Sequence, residues 1–357
     1  MGAESLPSLR IGRHEINFPI VQGGMSIRGS GADLVVAVSQ CGGLGTIGGV
    51  GRGLGRPEYQ HLNPQEADRQ ALKDELFNVK KMDPHGIHAV NILYAVTDYN
   101  GLVRAAIENG ADIIVSGAGL PFNLPALIAD HPEVAIVPMV SSLRAASIIC
   151  RRWLHQHNRL PDAIIVEEPA TAGGHLGAAT EDEVNDPALR MEIVIPQIRR
   201  FFEEQKWSIP IIAAGGIWHR QDINHMLALG ANGVQMATRF VCTPECEFPS
   251  KFKQKYQEAK DTVLTKSPVG IMGRVVETEF SERVARREDI GDQCTIGCLK
   301  RCSLRDSGQD YCIMDALVRS RNADVEHGIV FAGSNAPKSR EQGIVSVRQI
   351  FAELTAN

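Results

Sequence analysis

The sequence AIIVEEPATAGGHLG, residues 163–177, decides the fold class because it joins a buried strand directly to a polar, glycine-rich turn. Its first four residues are all apolar, which is typical of a parallel strand covered on both faces. Gly173 and Gly174 allow the chain to bend tightly and to approach a ligand closely. His175 then lies where a strand delivers side chains into a site. Because imidazole titrates near neutral pH, the turn indicates general acid or base catalysis by His175. The alternative is a loop histidine that is hydrogen-bonded to a neighbour.

Seven further short apolar runs accompany this one along the chain. The eight runs are residues 19–22, 43–47, 88–93, 112–116, 134–140, 163–167, 209–214 and 233–237. Segments of helical character separate several of them, at residues 32–40, 101–109, 142–155 and 221–229. Eight strands that alternate with helices predict an α/β fold, a TIM (β/α)8 barrel, which commonly takes about 250 residues.

Composition and charge limit the class of partner. The chain has 357 residues, of which 43% are hydrophobic and 22% charged, as in ordinary globular proteins. A net charge of -5 and a pI of about 6.1 argue against nucleic acid as a partner. No signal-peptide core or membrane span is evident, so we expect a cytoplasmic protein with no membrane partner. The expected partner is a small-molecule substrate, with a homodimer as the candidate assembly.

The predicted barrel occupies residues 10–245, and a C-terminal extension that packs on it occupies residues 246–357. Within the barrel, residues 50–86 are rich in proline, glycine and charge, and we interpret them as an excursion over the barrel mouth. In the extension we expect a polar helix at 247–263, a cysteine-bearing stretch at 265–337 and a closing helix at 345–354.

Several of the strands end in glycine-rich or small polar turns. Loops that follow the strands of a barrel gather at one face, and those after the last two strands commonly present backbone N–H groups to a phosphate. Gly215, Gly216 and the stretch 236–238 have that position here. They therefore predict a cofactor that bears a phosphate.

These turns together resemble a known enzyme family. The segments PIVQGGMS, SGAGLP, AGGHLG, IIAAGGI, GVQMATRF and GIVFAGSNA occur in this order between residues 19 and 336. As a set, they are similar to those of the nitronate monooxygenases, formerly called 2-nitropropane dioxygenases, and of the flavin-dependent enoyl-acyl-carrier-protein reductases that share their barrel. The resemblance implies a TIM barrel that binds FMN.

Matched position by position, the resemblance implies a catalytic residue and a set of cofactor contacts. The catalytic residue is His175. The FMN contacts are Gly24, Met25, Ser26, Asn91, Glu168, Gly174, Gly215, Gly216, Gln235, Ala237, Thr238, Gly333 and Ser334. For some of these a structural role is the alternative: Asn91 could cap a turn, Gln235 could satisfy barrel backbone, and Met25 could be core packing.

The chain departs from the family pattern in the catalytic turn. Relatives usually carry glutamate immediately before the A-G-G-H turn, where this chain has Thr171. Glu167 or Glu168 could supply the missing carboxylate. Arg239 could recognise an anionic substrate or the phosphate of a nicotinamide cofactor, and an ordinary salt bridge is the alternative.

The second departure is a cluster of four cysteines within nineteen residues, at Cys294, Cys298, Cys302 and Cys312. Four thiolates suit an iron–sulfur cluster or zinc, and free thiols are the alternative. An iron–sulfur cluster is favoured over zinc because a nearby flavin could exchange electrons with it. Cys242 and Cys246 form a further pair with helical spacing.

Three functions fit these residues. The first is an FMN-dependent oxidoreductase of the nitronate monooxygenase type, which oxidises a nitronate or similar small anion with dioxygen. The second is a flavin enoyl-thioester reductase that uses NAD(P)H as its electron donor. The third is a barrel that binds a phosphate ligand without redox chemistry, although no lysine stands at a strand end for Schiff-base catalysis.

Overall fold

The computed structural model describes residues 5–356, which form thirteen strands and fifteen α-helices. The strands are β1 Leu9–Ile11, β2 His14–Ile16, β3 Ile20–Gln22, β4 Gly45–Gly48, β5 His88–Leu93, β6 Ile113–Gly117, β7 Ala135–Val140, β8 Ile164–Glu167, β9 Gly174–His175, β10 Ile211–Ala214, β11 Gly233–Met236, β12 Thr262–Lys266 and β13 Met272–Val276.

The helices begin and end as follows. They are α1 Ala32–Gln40, α2 Pro64–Met82, α3 Tyr99–Glu108, α4 Leu124–Leu127, α5 Leu143–His157, α6 Glu181–Val184, α7 Met191–Gln205, α8 Arg220–Ala228, α9 Thr238–Val241, α10 Ser250–Glu258, α11 Glu279–Ala285, α12 Ser303–Ser307, α13 Ile313–Arg321, α14 Ser339–Gln342 and α15 Val347–Thr355. Short 3₁₀ helices occur at Pro57–Tyr59, Pro187–Leu189 and Ala336–Lys338.

Eight parallel strands form the barrel, in the order β3-β11-β10-β8-β7-β6-β5-β4. A parallel bridge between Val21 and Leu44 joins β3 to the start of β4, and the Gln22 N–H donates to the Leu44 carbonyl at 2.9 Å. The sheet therefore closes on itself. The predicted TIM barrel and all eight predicted strands are confirmed, with boundaries shifted by at most two residues.

Successive side chains of each barrel strand point alternately into two buried apolar clusters, one inside the barrel and one between the sheet and the helices. Ile165 and Ile212 belong to a cluster inside the barrel, which the N-terminal hairpin of β1 and β2 covers at one end. Their neighbours Ile164, Val166 and Ile211 belong to the larger core between the sheet and the helices. Because both faces are buried, the strands are apolar on consecutive positions rather than on alternate ones.

The interpretation of residues 50–86 as an excursion over the barrel mouth is wrong for its second half. That half is the nineteen-residue helix α2, which packs between α1 and α3 in the outer layer. Its start has a clear sequence signal, since the Asn63 side chain accepts from the Glu66 N–H at 3.0 Å and Pro64 occupies the first helical position. The high charge of the segment reflects the solvent-facing side of a surface helix.

The C-terminal extension adds strands to the catalytic turn. The polar helix predicted at 247–263 is shorter, at Ser250–Glu258, because the chain turns into strand β12 at Thr262. Strands β12 and β13 form a hairpin, and β13 pairs antiparallel with β9. The closing helix expected at 345–354 corresponds to α15, which packs beside α1 and α8. No helix among the described residues has the length and hydrophobicity needed to cross a bilayer.

Candidate active site

A cavity of about 790 Å³ opens at the carboxyl ends of the barrel strands, where the turns after the strands meet. Its wall brings together His175 and most of the predicted cofactor contacts. The predicted residues that line it are Gly24, Met25, Ser26, Asn91, Gly174, His175, Gly215, Gly216, Gln235, Ala237, Thr238 and Gly333. These residues come from six separate turns, so the tertiary fold places them within one site.

Two predicted contacts, Glu168 and Ser334, are not part of the cavity wall. The Glu168 carboxylate accepts from the Thr171 hydroxyl at 2.5 Å and lies 3.4 Å from the backbone nitrogen of Met191, at the start of α7. The Ser334 N–H donates to the Thr171 carbonyl at 3.0 Å. Both residues therefore fix the loop around Thr171.

The turn after β10 has the properties of a phosphate cradle. Gly215 and Gly216 have φ values of +106° and +69°, which only glycine adopts readily. A Cβ atom on either would lie within 3.1 Å of the Thr171 hydroxyl. Thr238, after β11, accepts from the Gly333 N–H at 3.0 Å, which leaves its own hydroxyl hydrogen free to donate. This geometry suits a phosphate.

Across the barrel from the turn after β10, Asn91 has a buried acceptor atom that lacks a hydrogen-bond partner. Its Oδ1 is fully buried and receives no hydrogen bond within residues 5–356, although the residue lines the cavity. Buried polar atoms are almost always satisfied, so such an atom in a cavity wall is suited to a ligand donor. The amide lies close to Gly24, where a Cβ would approach the Asn91 Cβ to 2.7 Å. These residues fit the polar edge of a flavin ring.

The turn after β3 is held by the buried Gln22. Its Oε1 accepts from the Thr46 N–H at 3.1 Å, and its Nε2 donates to the Ser30 hydroxyl at 2.9 Å. The same Ser30 oxygen accepts from the Met25 N–H at 2.9 Å. The segment from Gly24 to Ser26 therefore has a fixed backbone when it meets a ligand.

His175 lies in strand β9, opposite Gly273 of β13. Its Nε2 is 2.7 Å from the Ser267 hydroxyl, and its ring packs 4.9 Å from the ring of Phe331. Burial lowers the pKa of the imidazole to about 4. At neutral pH the side chain is therefore uncharged, with Ser267 fixing its orientation.

Glu167 is a titratable group of the cavity wall that the motif comparison does not include. Burial raises the pKa of its carboxyl group to about 8. Glu167 and His175 each keep some surface accessible because they face the cavity, yet both lie deep below the molecular surface. At pH 7 the carboxyl group is mainly protonated, so both groups are neutral.

Two cationic side chains, Lys300 and Arg301, form the rim of the cavity. The Lys300 Nζ donates to the Tyr94 carbonyl at 2.6 Å and lies 3.7 Å from the centre of the Tyr94 ring. Sequence reasoning missed both residues because they lie on the extension, more than sixty residues after the last barrel strand. Their only sequence signal is their position inside the cysteine cluster.

An aromatic wall covers the cavity from the side of helix α10. The rings of Phe248 and Phe252 stack at 4.1 Å, and Phe252 stacks on Tyr256 at 5.7 Å. The Tyr256 hydroxyl donates to the Phe331 carbonyl. This wall was also missed, since the stretch was predicted only as a polar helix.

Arg239 forms a structural salt bridge, which was the alternative to a role in recognising a ligand. Only 3% of its surface is exposed, and its guanidinium pairs with Glu353 of α15. It also donates to the Trp218 carbonyl at 2.5 Å and to the Gln342 side chain at 3.1 Å. Arg239 therefore ties the closing helix to the barrel and does not line the cavity.

The four clustered cysteines lie close to one another. Burial raises the pKa of the Cys298 thiol to about 12, and the neighbouring Cys312, Cys302 and Cys294 add to this effect. Cys302 and Cys312 immediately precede helices α12 and α13. Over residues 5–356, no three histidine, cysteine or acidic side chains are arranged to hold a metal ion. A cluster or zinc at these thiols stays a prediction.

The second cysteine pair has separate structural contacts. Cys242 and Cys246 are buried, and their thiols lie near the carbonyls of Lys253 and Gly29 respectively. They therefore act as small buried side chains beside the barrel.

The closed barrel and the cavity at its strand ends define the class: a TIM-barrel protein with a ligand site where the strands end. Within that class, the chain belongs to the nitronate monooxygenase family, whose profile matches residues 8–357.

Individual relatives agree with this assignment. A probable nitronate monooxygenase of Staphylococcus aureus (strain Newman) is 27% identical over 318 residues, covering 78% of this chain and 80% of its own. The solved structure of FabK from Thermotoga maritima has a TM-score of 0.70 and 25% identity, covering 95% of this chain and 92% of that one. A nitroalkane oxidase from Streptomyces ansochromogenes, with a TM-score of 0.71 and 17% identity over 96% of this chain and 95% of its own, supports the fold alone.

Proposed function

We propose that this protein binds FMN and oxidises a nitronate, or a similar small anion, with dioxygen. The observation that carries the proposal is the charge distribution of the cavity wall. Among the described residues that line it, the ionised side chains at pH 7 are Lys300 and Arg301, both cationic, whereas Glu167 and His175 are mainly neutral. A site with this distribution attracts an anion.

FMN would lie between two groups of residues. Gly215, Gly216 and Thr238 would hold its phosphate, and Asn91 and the turn at Gly24 would hold the polar edge of its ring. When bound, the flavin would supply the redox chemistry, accepting electrons from the substrate and passing them to dioxygen.

The remaining residues of the wall would orient the substrate and exclude water. Strand β5 lies across the barrel from β10 and its cradle. Tyr94 directly follows β5, and its carbonyl accepts from Lys300. The two cations would therefore recognise the substrate rather than the cofactor phosphate. The stacked Phe248 and Phe252 would keep water from the reacting atoms. The neutral imidazole of His175, oriented by Ser267, would bind the anion or move a proton at the reacting atoms.

An NAD(P)H-dependent enoyl-thioester reductase remains the second reading of the same site. The burial of Arg239 removes the cation that the sequence offered for a nicotinamide cofactor phosphate, and this favours the monooxygenase. Anaerobic reduction of the bound flavin with NADH, NADPH and propyl-2-nitronate in parallel separates the two activities. We expect reduction by the nitronate, with dioxygen restoring the oxidised spectrum. Reduction by a pyridine nucleotide alone would establish the reductase instead.

The non-redox barrel has a simpler test. Purified protein should be yellow and should release FMN on heating, which chromatography against an FMN standard identifies. A colourless protein that releases no flavin would leave only a phosphate-ligand barrel.

A further inference from the structure

The two adjacent glutamates at the end of β8 have opposite environments. Ile165 faces the barrel interior and Val166 faces the helices, so the alternation of the strand turns Glu167 inward. Glu167 accordingly lines the cavity. Glu168 is directed toward the start of α7, where Arg190 lies 3.7 Å from its carboxylate.

Glu167 differs from Glu168 in having no partner. Its carboxyl group makes no hydrogen bond or ion pair with any residue in the described range, whereas Glu168 bonds Thr171 and approaches Met191. Burial alone accounts for the raised pKa of Glu167, with no contribution from a neighbouring charge. An unpaired buried carboxylate is costly, so the group keeps its proton and can donate it to a ligand.

The titratable groups around Glu167 leave this donor role open. His175 on β9 is neutral, and Tyr256 on α10 has a pKa well above its ordinary value because of burial. Lys300 and Arg301 lie at the rim, and Arg190 lies on the outer side of the sheet beside Glu168. None of these groups forms an ion pair with Glu167.

We propose that Glu167 is the acid of this site: its carboxylic acid group donates a hydrogen bond to the anionic oxygen of the substrate. This inference rests on the proposed function and deepens it. An ionised carboxylate at this place would repel a nitronate, whereas the protonated group binds it. The hydroxyl of Thr171, at the position where relatives have glutamate, already donates to Glu168. Glu167 supplies the carboxyl group from the preceding strand. Glu167 then donates to the anion, while the neutral His175 adds no charge to the same cavity wall.

The first test uses nitrate, a planar, redox-inert oxyanion, as the probe. Nitrate is titrated into the flavin-loaded protein between pH 6 and pH 9.5, and binding is followed by flavin absorbance. For the wild type we expect the affinity to fall about tenfold per pH unit above about pH 8, as Glu167 ionises. Glu167→Gln keeps a donor that cannot ionise, so its affinity should be nearly constant. The control Glu204→Gln, at an exposed carboxylate of helix α7, should keep the wild-type dependence. An unchanged pH dependence in Glu167→Gln, or no nitrate binding by the wild type at any pH, overturns the proposal.

The second test needs neither substrate nor anion. The infrared difference spectrum between wild type and Glu167→Gln at pH 7 should contain the C=O stretch of a protonated carboxyl group, which disappears as pH rises through about 8. Absence of this band refutes the inference even if nitronates are oxidised. Conversely, a protein with the band and the nitrate dependence but no nitronate oxidation retains Glu167 as the acid and overturns only the proposed substrate.

Discussion

At the scale of single residues, burial acts on the pKa values of two groups of the cavity wall in opposite directions. It removes water from the charged form of each group, so it lowers the pKa of His175 and raises that of Glu167. Both groups are uncharged over the same pH range. The site can therefore hold an anion without a fixed negative charge beside it.

Replacing His175 by alanine should separate cofactor binding from turnover. His175→Ala removes an imidazole but none of the glycine cradle, so we expect stoichiometric FMN with a rate at least about a hundredfold lower. Flavin content and steady-state rates measure the two properties. The same change at the exposed His327 should leave the rate unaltered, and an unaffected rate in His175→Ala would contradict the catalytic role.

The two pKa values also predict the pH dependence of kcat/KM. His175 gains a proton as pH falls through about 4, and Glu167 loses one as pH rises through about 8. The active form has neutral imidazole and protonated carboxyl, so activity should decline on both sides of this range. Glu167→Gln should remove the alkaline decline and keep the acidic one. An alkaline decline of the same midpoint in the variant would assign it to another group.

Gly216 is the residue whose substitution should remove the cofactor. Gly216→Val places a branched side chain at φ +69°, with its Cβ 3.1 Å from the Thr171 hydroxyl and in the space proposed for the phosphate. We expect purified protein without flavin, measured by absorbance. Gly308→Ala is the control, because Gly308 has φ +66° and open space around it. If Gly216→Val retains its flavin, the phosphate does not bind at this turn.

At the scale of secondary-structure elements, the hairpin of β12 and β13 holds the catalytic turn in place. Strand β13 pairs with β9, and its Arg274 donates to the carbonyls of Ala170 and Ala172 at 2.8 and 3.1 Å. The hairpin also supplies Ser267 beside His175. The C-terminal extension therefore builds part of the candidate site.

Helix α15 depends on Arg239 for its attachment. Arg239→Met removes the ion pair to Glu353 and leaves the Trp218 carbonyl without its guanidinium donor. We expect a loss of about 2 kcal/mol in unfolding free energy, measured by denaturant titration. Flavin reduction by propyl-2-nitronate should be unchanged, since Arg239 does not reach the cavity. A changed preference between NADH and NADPH would return a recognition role to this arginine.

The segment that bears Cys294, Cys298, Cys302 and Cys312 leads to a prediction about metal content. A cluster at these thiols would give iron and acid-labile sulfide in protein purified without oxygen, and Cys298→Ala would lose both. Cys150→Ala, which changes a buried thiol of helix α5, is the control and should retain them. If the protein contains zinc but no sulfide, the site is a structural zinc site. If it contains neither iron nor zinc above trace amounts, the cysteines are free thiols.

At the scale of the whole molecule, local patterns predicted the barrel because most of its strands are largely apolar runs between turn residues. They predicted the glycine cradle for a similar reason, since left-handed backbone at Gly215 and Gly216 needs glycine. The helix at 64–82 was missed because its charged outer face obscured the start signal at Asn63 and Pro64. The signal for the start of this helix is therefore present in the sequence at Asn63 and Pro64.

Other features depend on contacts between distant parts of the chain. Lys300 reaches Tyr94 across 206 residues, and Thr238 meets Gly333 across 95. Glu167 and Glu168 are chemically identical neighbours, and only the strand alternation and the packing of α7 separate their environments.

The sequence by itself determined the closed barrel, the turn that carries His175, the glycines of the cradle and the family. These depend on local backbone preference and on apolar periodicity, which neighbouring residues set. Only the tertiary structure decided which glutamate faces the cavity, which cations form its rim, and that Arg239 serves as a structural tie. Those outcomes depend on burial and on long-range contacts, because a side chain's charge and partners are fixed only when distant segments pack around it.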